Sequence, residues 1–273
     1  MRESFQPPDM EKFQILLKGL NYYFDPTFLG LEHLDLSHRP ALFVGNHTIY
    51  GLLDIPLLIN EIYQRYGVYL RSLGDHAHFL LPGWHQLLSA GGMVDGTPEH
   101  CSMLMKQGAS ILVFPGGSRE VMRRKGDDYQ LFWKQRTGFV RMAIEHGYDI
   151  IPFASVGPNE CFDIRLDAND VLKQQWLTKA IEMLPLKKLF RQGDVVLPLA
   201  KGMLGLPIPK PEKFYFSFAK RLFSESYKLD TSSQILFREI VKNTVEQQIT
   251  QLKQLRDEER DRNLSLIRKK LTD

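Results

Sequence analysis

The chain is 273 residues long, with 43% hydrophobic, 25% charged and 11% aromatic residues, the composition of a globular protein rather than a disordered or fibrous one. Its 35 Lys and Arg against 32 Asp and Glu leave a net charge of +3, too small a basic excess for a dedicated nucleic-acid binder. Two cysteines, Cys101 and Cys161, build neither a disulfide framework nor a four-thiolate zinc site, so a reducing, cytoplasmic setting is expected.

The N-terminal MRESFQPPDMEKFQ lacks the apolar stretch of a secretory signal. No segment reaches the roughly 18 uninterrupted apolar residues of a spanning helix. Residues 10–24 place Phe13, Leu16, Leu17, Leu20 and Phe24 at helical spacing. They predict an amphipathic N-terminal helix that packs on the domain, with an aromatic and basic content that also suits a membrane surface.

A series of short apolar runs follows, each closed by turn residues and then a helical pattern. ALFVG (41–45) reads as a buried strand and is followed by a helix from about Leu52 to Tyr66. VYLRSL (68–73) and GGMV (91–94) read as further strands. Residues 97–108 form a helix capped by Thr97, with Pro98 in its first turn and Gly108 at its end. SILVF (110–114) is a strand stopped by Pro115-Gly116-Gly117, residues 133–147 are helical, and DIIPFASVG (149–157) is the last strand of the series.

Beyond residue 165 the pattern weakens. The stretches 176–190 and 203–211 are apolar with basic flanks and read as an interfacial hairpin that dips into lipid, with ordinary core as the other reading. KFYFSFAK (213–220) is a strand, and a tail of mixed charge from about Ser232 is a solvated helix.

The alternation predicts an α/β fold: a mainly parallel mixed sheet flanked by helices, with an N-terminal amphipathic helix and a C-terminal helical extension (232–273). One domain covers 1–273, with its core over about 35–225. Active sites in such sheets gather beyond the carboxyl ends of the strands, here the loops 45–51, 115–120 and 157–161.

Two of those loops carry chemistry. Asn46 and His47 directly follow a strand, and Asp54 lies seven residues on. An imidazole at such a turn can take the proton of an attacking hydroxyl, and a carboxylate on its far nitrogen stabilises the imidazolium. Residues seven apart on a helix are about 10 Å apart along its axis. The pairing therefore requires His47 to bend back from the turn, and Asp75 is the reserve partner. The second loop is Phe114-Pro115-Gly116-Gly117-Ser118-Arg119-Glu120, whose glycines let backbone amides face a site as an anion cradle or oxyanion hole. Two lesser patterns are weaker. Asp75-His76-Ala77-His78 with His85 is read as structural rather than as a metal site. The Gly-x-Ser of Gly116–Ser118 lacks the final glycine of a nucleophile elbow.

Taken together, VGNHTIYGLLDIP and ILVFPGGSRE resemble the first and third signature blocks of the glycerolipid acyltransferase superfamily, Asn-His-x4-Asp and Phe-Pro-Glu-Gly-Thr-Arg. SAGGMVDG and DIIPFASVG stand where its second and fourth blocks belong. The resemblance covers roughly residues 35–225. It is closest to the branch of phytyl ester synthases, TMEM-type and diacylglycerol acyltransferases, which share PGG-x-RE. It extends to the plant enzymes across RRKGDDYQLFWKQRTGFVRMA.

The resemblance implies a peripheral membrane enzyme that transfers an acyl group from acyl-CoA or acyl carrier protein to a lipid hydroxyl, with no metal or other cofactor. Carried over, His47 is the general base and Asp54 its orienting carboxylate. Gly116, Gly117, Ser118 and Arg119, with Asn46 and Glu120, line the acceptor or stabilise the oxyanion. Three positions depart from the family pattern. Leu52 stands at the usual Asp position, Gly116 replaces the Glu of phosphate-acceptor enzymes, and Asp95-Gly96 replaces their phosphate-holding Arg. Loss of such Arg–phosphate bonds points to a neutral acceptor such as diacylglycerol or a long-chain alcohol.

Overall fold

Along residues 41–44 the side chains alternate between two apolar environments, Leu42 and Val44 joining one buried cluster and Ala41 and Phe43 another. This is the pattern of a strand covered on both faces. The computed structural model describes residues 5, 7–36, 39–76, 83–174 and 196–272. In it, β2 (Ala41–Gly45) is the middle strand of a seven-stranded sheet. On one side of β2 lie β6 (Asp149–Val156), β9 (Tyr215–Phe218) and the edge strand β1 (Thr27–Leu29). On the other lie β5 (Ile111–Val113), β3 (Arg71–Gly74) and β4 (Val94–Asp95). Every pairing is parallel except β6 with β9. The mainly parallel mixed sheet expected from the sequence is therefore present.

The two faces are covered as a doubly wound sheet requires. α1 (Met10–Phe24) and α2 (Asp54–Tyr66) bury Leu17, Phe24, Leu57, Leu58 and Ile62 on one face. α4 (Pro98–Lys106), α6 (Gly138–His146) and α8 (Thr231–Thr272) cover the other, and α3 (Trp84–Ala90) precedes β4. Local chemistry sets the ends of these helices. Asp9 caps α1 by accepting from the Lys12 N–H at 3.2 Å, and Thr97 caps α4 by accepting from the His100 N–H at 3.2 Å. At the amino end of β6 the buried Asp149 carboxylate receives Arg39 at 3.1 Å, Arg221 at 3.4 Å and the Ser224 N–H at 3.2 Å. Its charge is thus matched rather than stranded in the core.

Three expectations need correction. The helix read over 133–147 begins only at Gly138: Trp133 turns fully into the core, edge-on to Phe139 at 5.5 Å, and Lys134 takes φ +52°. The strand over 68–73 begins at Arg71. The tail is not simply solvated. Phe237, Val241, Val245, Ile249 and Leu252 recur every four, four, four and three residues, and they bury a stripe of α8 in the cluster that includes β6 and β9 side chains.

Two further strands, β7 (Asp163–Leu166) and β8 (Leu199–Lys201), form a separate antiparallel ribbon, with α7 (Ala168–Lys173) after β7. The apolar stretch 176–190 lies outside the described residues. Among the described residues, no helix is long and apolar enough to cross a membrane.

The buried stripe of α8 has a measurable consequence. Phe237 is fully buried and its ring stacks on Tyr227 at 4.1 Å. Phe237→Ala is expected to lower unfolding free energy by about 3–5 kcal/mol. Its exposed neighbour Leu236, truncated to Ala, should change it by less than about 0.5 kcal/mol in the same denaturant titration.

Candidate active site

β2, β5, β3 and β4 are parallel, so their carboxyl ends meet on one edge of the sheet. A cavity of about 430 Å³ opens there. Its wall carries His47 from the loop after β2, Asp75 from the residue after β3, and Gly96 and Thr97 after β4. Phe114 and Gly117 come from the turn after β5, Ser118 opens the short helix α5 (Ser118–Val121), and the rest of the wall is mostly apolar, including Leu42, Met93, Val113, Phe139 and Met142. Of the three loops expected at the site, 45–51 and 115–120 reach this cavity. The third lies behind it: the Asn159 Oδ1 accepts the Ile49 N–H at 2.8 Å and holds the first loop from outside.

His47 is fixed through its backbone. Its N–H donates to Glu120 Oε2 at 2.8 Å, and its carbonyl accepts from Arg123 Nη2 at 2.9 Å. The imidazole stacks on Phe114, with centroids 4.2 Å apart and planes at 26°. Gly51, at φ +60°, packs close to the ring's Cε1, and a Cβ there would overlap the imidazole. Tyr50 before it also takes φ +60° and donates its hydroxyl to the Pro198 carbonyl at 2.9 Å. This pair of left-handed residues delays α2 to Asp54 rather than Leu52.

Several residues expected to touch substrate do not line the cavity. Asn46 is fully buried: its Nδ2 donates to the Ser155 carbonyl and its Oδ1 accepts the Ser155 N–H, both at 2.9 Å, so its amide laces β2 to β6. Asp54 is buried at the start of α2 and accepts from Thr48 Oγ1 at 2.9 Å. Burial pushes its carboxyl above the usual carboxylate value, opposed chiefly by the neighbouring Ser155 and Thr48 hydroxyls. It braces the loop, whereas the reserve carboxylate, Asp75, shares the cavity wall with His47.

Arg119 is also buried, ion-paired with Asp127 at 2.6 Å and stacked over the Phe132 ring at 3.9 Å. Glu120 is fully buried, with its second oxygen accepting the Phe132 N–H at 2.8 Å. A Cβ on Gly116 would overlap the Glu120 side chain, so Gly116 makes room for that carboxyl rather than presenting an amide to substrate. The Gly117 N–H is spent on the Phe114 carbonyl at 3.0 Å, although Gly117 and Ser118 do line the cavity. Gly117 sits at φ +55°, ψ −146°, a conformation open to glycine and strained for other residues.

The sequence reading missed two cations on the wall, Arg136 and Arg141. Arg136 Nη1 donates to the Pro115 carbonyl at 2.5 Å and lies beside Gly117. The available signal was the pair of arginines flanking Gly138, where α6 begins. Cys101 also borders the cavity, but burial pushes its thiol up to about 11, so it stays protonated near neutral pH and is a poor nucleophile. Of the histidines considered as metal ligands, His76 instead bonds Asp95 Oδ2 through Nδ1 at 2.8 Å.

Comparison with known proteins identifies relatives of this chain. An acyltransferase family model matches residues 26–156, a span that includes every strand end on the cavity. Phytyl ester synthase 2, chloroplastic, of Arabidopsis thaliana is 33% identical over 245 residues, covering 84% of this chain and 34% of that protein. Human 2-acylglycerol O-acyltransferase 1 is 28% identical over 160 residues, 54% of this chain and 46% of that one. The chain thus spans about a third of the first relative's length and under half of the second's. The crystal structure of the 1-acyl-sn-glycerophosphate acyltransferase PlsC from Thermotoga maritima shares the fold, with a TM-score of 0.52 and 15% identity over 93% of this chain and 84% of that one.

The buried Glu120 makes stability depend on pH in a defined direction. Burial is the main cause that raises its carboxyl from 4.5 to about 7, outweighing the His47 N–H and the Arg123 and Arg136 charges. Between those values the unfolded chain loses the proton while the folded one keeps it, so this group's contribution to stability falls as pH rises through that window. Glu120→Gln cannot ionise. The stability difference between wild type and Glu120→Gln is therefore expected to shrink by up to a few kcal/mol across the window, measured by urea unfolding at each pH.

Proposed function

The chain belongs to the acyltransferase family, and from that premise we propose that it is an O-acyltransferase that moves a fatty acyl group from a thioester, acyl-CoA or acyl carrier protein, to the hydroxyl of a neutral lipid at a membrane surface. The observation that carries this reading is His47, held by both its backbone groups and stacked on Phe114, facing a cavity with a mostly apolar wall.

In this reading His47 takes the proton of the acceptor hydroxyl as its oxygen attacks the thioester carbonyl. The tetrahedral oxyanion forms beside Ser118 and the Arg136 guanidinium, which share the wall. Collapse of the intermediate breaks the C–S bond, and the imidazolium returns its proton to the leaving thiolate, giving ester and thiol without an acyl-enzyme. Asp75, on the same wall, is the carboxylate that stabilises the imidazolium. Asp54 acts through the loop, as a positioning residue.

The neutral acceptor is favoured by what the motif cations do. Arg119, the cation of the third block, is already matched by Asp127 and Phe132, and Asp95 in the second block is engaged by His76. The names of the relatives, phytyl ester synthase and 2-acylglycerol O-acyltransferase, point the same way. Arg136 and Arg141 on the cavity wall support a second reading, a lysophosphatidic acid acceptor; in the first reading Arg136 serves the oxyanion and Arg141 faces a phosphate of the donor.

The deciding assay uses labelled palmitoyl-CoA and liposomes, with diacylglycerol, a long-chain alcohol or lysophosphatidic acid as acceptor. Ester is expected on the neutral acceptors, falling by about 10²–10⁴-fold in His47→Ala with the fold intact. Product from lysophosphatidic acid alone would establish the second reading. Liposome binding without transfer from either donor would leave a lipid-binding protein that has kept the fold.

Gly51→Ala tests the positioning of the base separately. Displacing the ring is expected to lower kcat by about 10²-fold with less effect on KM.

A further inference from the structure

The β7–β8 ribbon has one covered and one open face. Ile164 and Ala200, cross-strand partners, turn inward, while Leu166 and Leu199, also partners, are 51% and 61% exposed. The open apolar face continues through Leu197 and into the turn after β8, where Leu204 stands 89% exposed, followed by Leu206 and Ile208. The carboxyl end of α1 joins the patch. The Tyr23 hydroxyl donates to the Pro209 carbonyl at 2.7 Å, and Tyr22 beside it is 93% exposed. Leucines at the centre with tyrosines beside them match the profile of a membrane interface.

Charge around the patch is one-sided. Arg165, Lys173 and Lys201 are exposed. The nearby acids are engaged: Asp163 with Lys210 at 2.7 Å, Asp170 with Lys125 at 2.7 Å, and the buried Asp167 as the cap of α7. A fringe of cations around exposed leucines complements an anionic lipid surface.

The ribbon is also joined to the active site. Tyr50, three residues after His47, donates to the carbonyl of Pro198, which leads into β8. Its ring meets Phe162, which leads into β7, edge-on at 5.2 Å. Both strands of the ribbon therefore start from residues held by the loop that carries the base.

We propose that the open face of the β7–β8 ribbon, with the 203–208 turn and Tyr22, is the surface by which this protein seats on an anionic bilayer. It holds the His47 loop against the membrane through Tyr50. This rests on the reading of the acceptor as a membrane lipid, and it names the contact that reading needs.

The test is flotation of the full chain with vesicles of phosphatidylcholine alone or mixed with phosphatidylglycerol. Wild type is expected to float with the mixed vesicles and to do so less with phosphatidylcholine alone. Leu199→Asp/Leu204→Asp should weaken flotation at least tenfold, and Lys201→Glu should weaken it on the mixed vesicles only. Leu236→Asp, at an exposed leucine of α8, is the control and should float as wild type does. Circular dichroism and thermal unfolding confirm that each variant is folded. Undiminished flotation of the double variant would overturn the proposal. So would a wild type that sediments as a dimer, fails to float and becomes monomeric in the double variant, which would assign the face to a second copy of the chain. Transfer to a short-chain, water-soluble acceptor, measured in parallel, separates the two readings. The double variant keeps that activity if only docking is lost, and its absence in wild type that still floats would defeat the acyl-transfer reading and leave docking standing.

Discussion

The Glu120 carboxyl group is out of reach of water and accepts one backbone N–H from each of two loops, at His47 and at Phe132. Neither loop has a strand or helix ladder at that point, so an unmade bond would leave a buried donor unsatisfied, at about 1–3 kcal/mol each. The Arg123 guanidinium supplies the opposite end of the clamp by taking the His47 carbonyl and the Asp127 carbonyl. His47 is therefore positioned by its peptide groups, which leaves its ring for Phe114 and the cavity.

The same economy runs through the site. Asn46 laces β2 to β6, Asp54 braces Thr48, Asn159 holds Ile49, and Arg119 is shared between a carboxylate and an aromatic face. Polar side chains in the signature blocks mostly satisfy backbone groups and one another. A loop buried this far below the surface requires that, because its amides cannot turn to water. Few motif residues remain at the cavity wall, chiefly His47, Gly117 and Ser118, and they stand on a rigid frame.

The fold was legible wherever local chemistry decides it. The apolar ALFVG and the mostly apolar DIIPFASVG became β2 and β6, and the Thr97 cap with Pro98 set the start of α4. The stripe on α8 was also present, as Phe237 through Leu252 at helical spacing, but the mixed charges beyond it drew the reading toward solvent. Other features depend on contacts distant in sequence. The true start of α6 hinges on Trp133 finding the core, and Arg136 is held at the cavity by its bond to the Pro115 carbonyl in the turn after β5. At the site, residue identities were readable from the motif while their directions were not. Spacing marked Asp54 and Asp75 as two candidates for one role, and only the folding of β3 beside β5 brings Asp75 to the wall.

The overlap between a Cβ at position 116 and the Glu120 side chain also bears on what the site can accommodate. Any side chain at 116 and the acid this chain carries at 120 would compete for one volume. In this backbone, a side chain at 116 can be seated only if the Glu120 carboxyl moves. Gly116 and Glu120 thus work as a pair: the missing side chain at one is the room in which the other reaches the His47 and Phe132 amides.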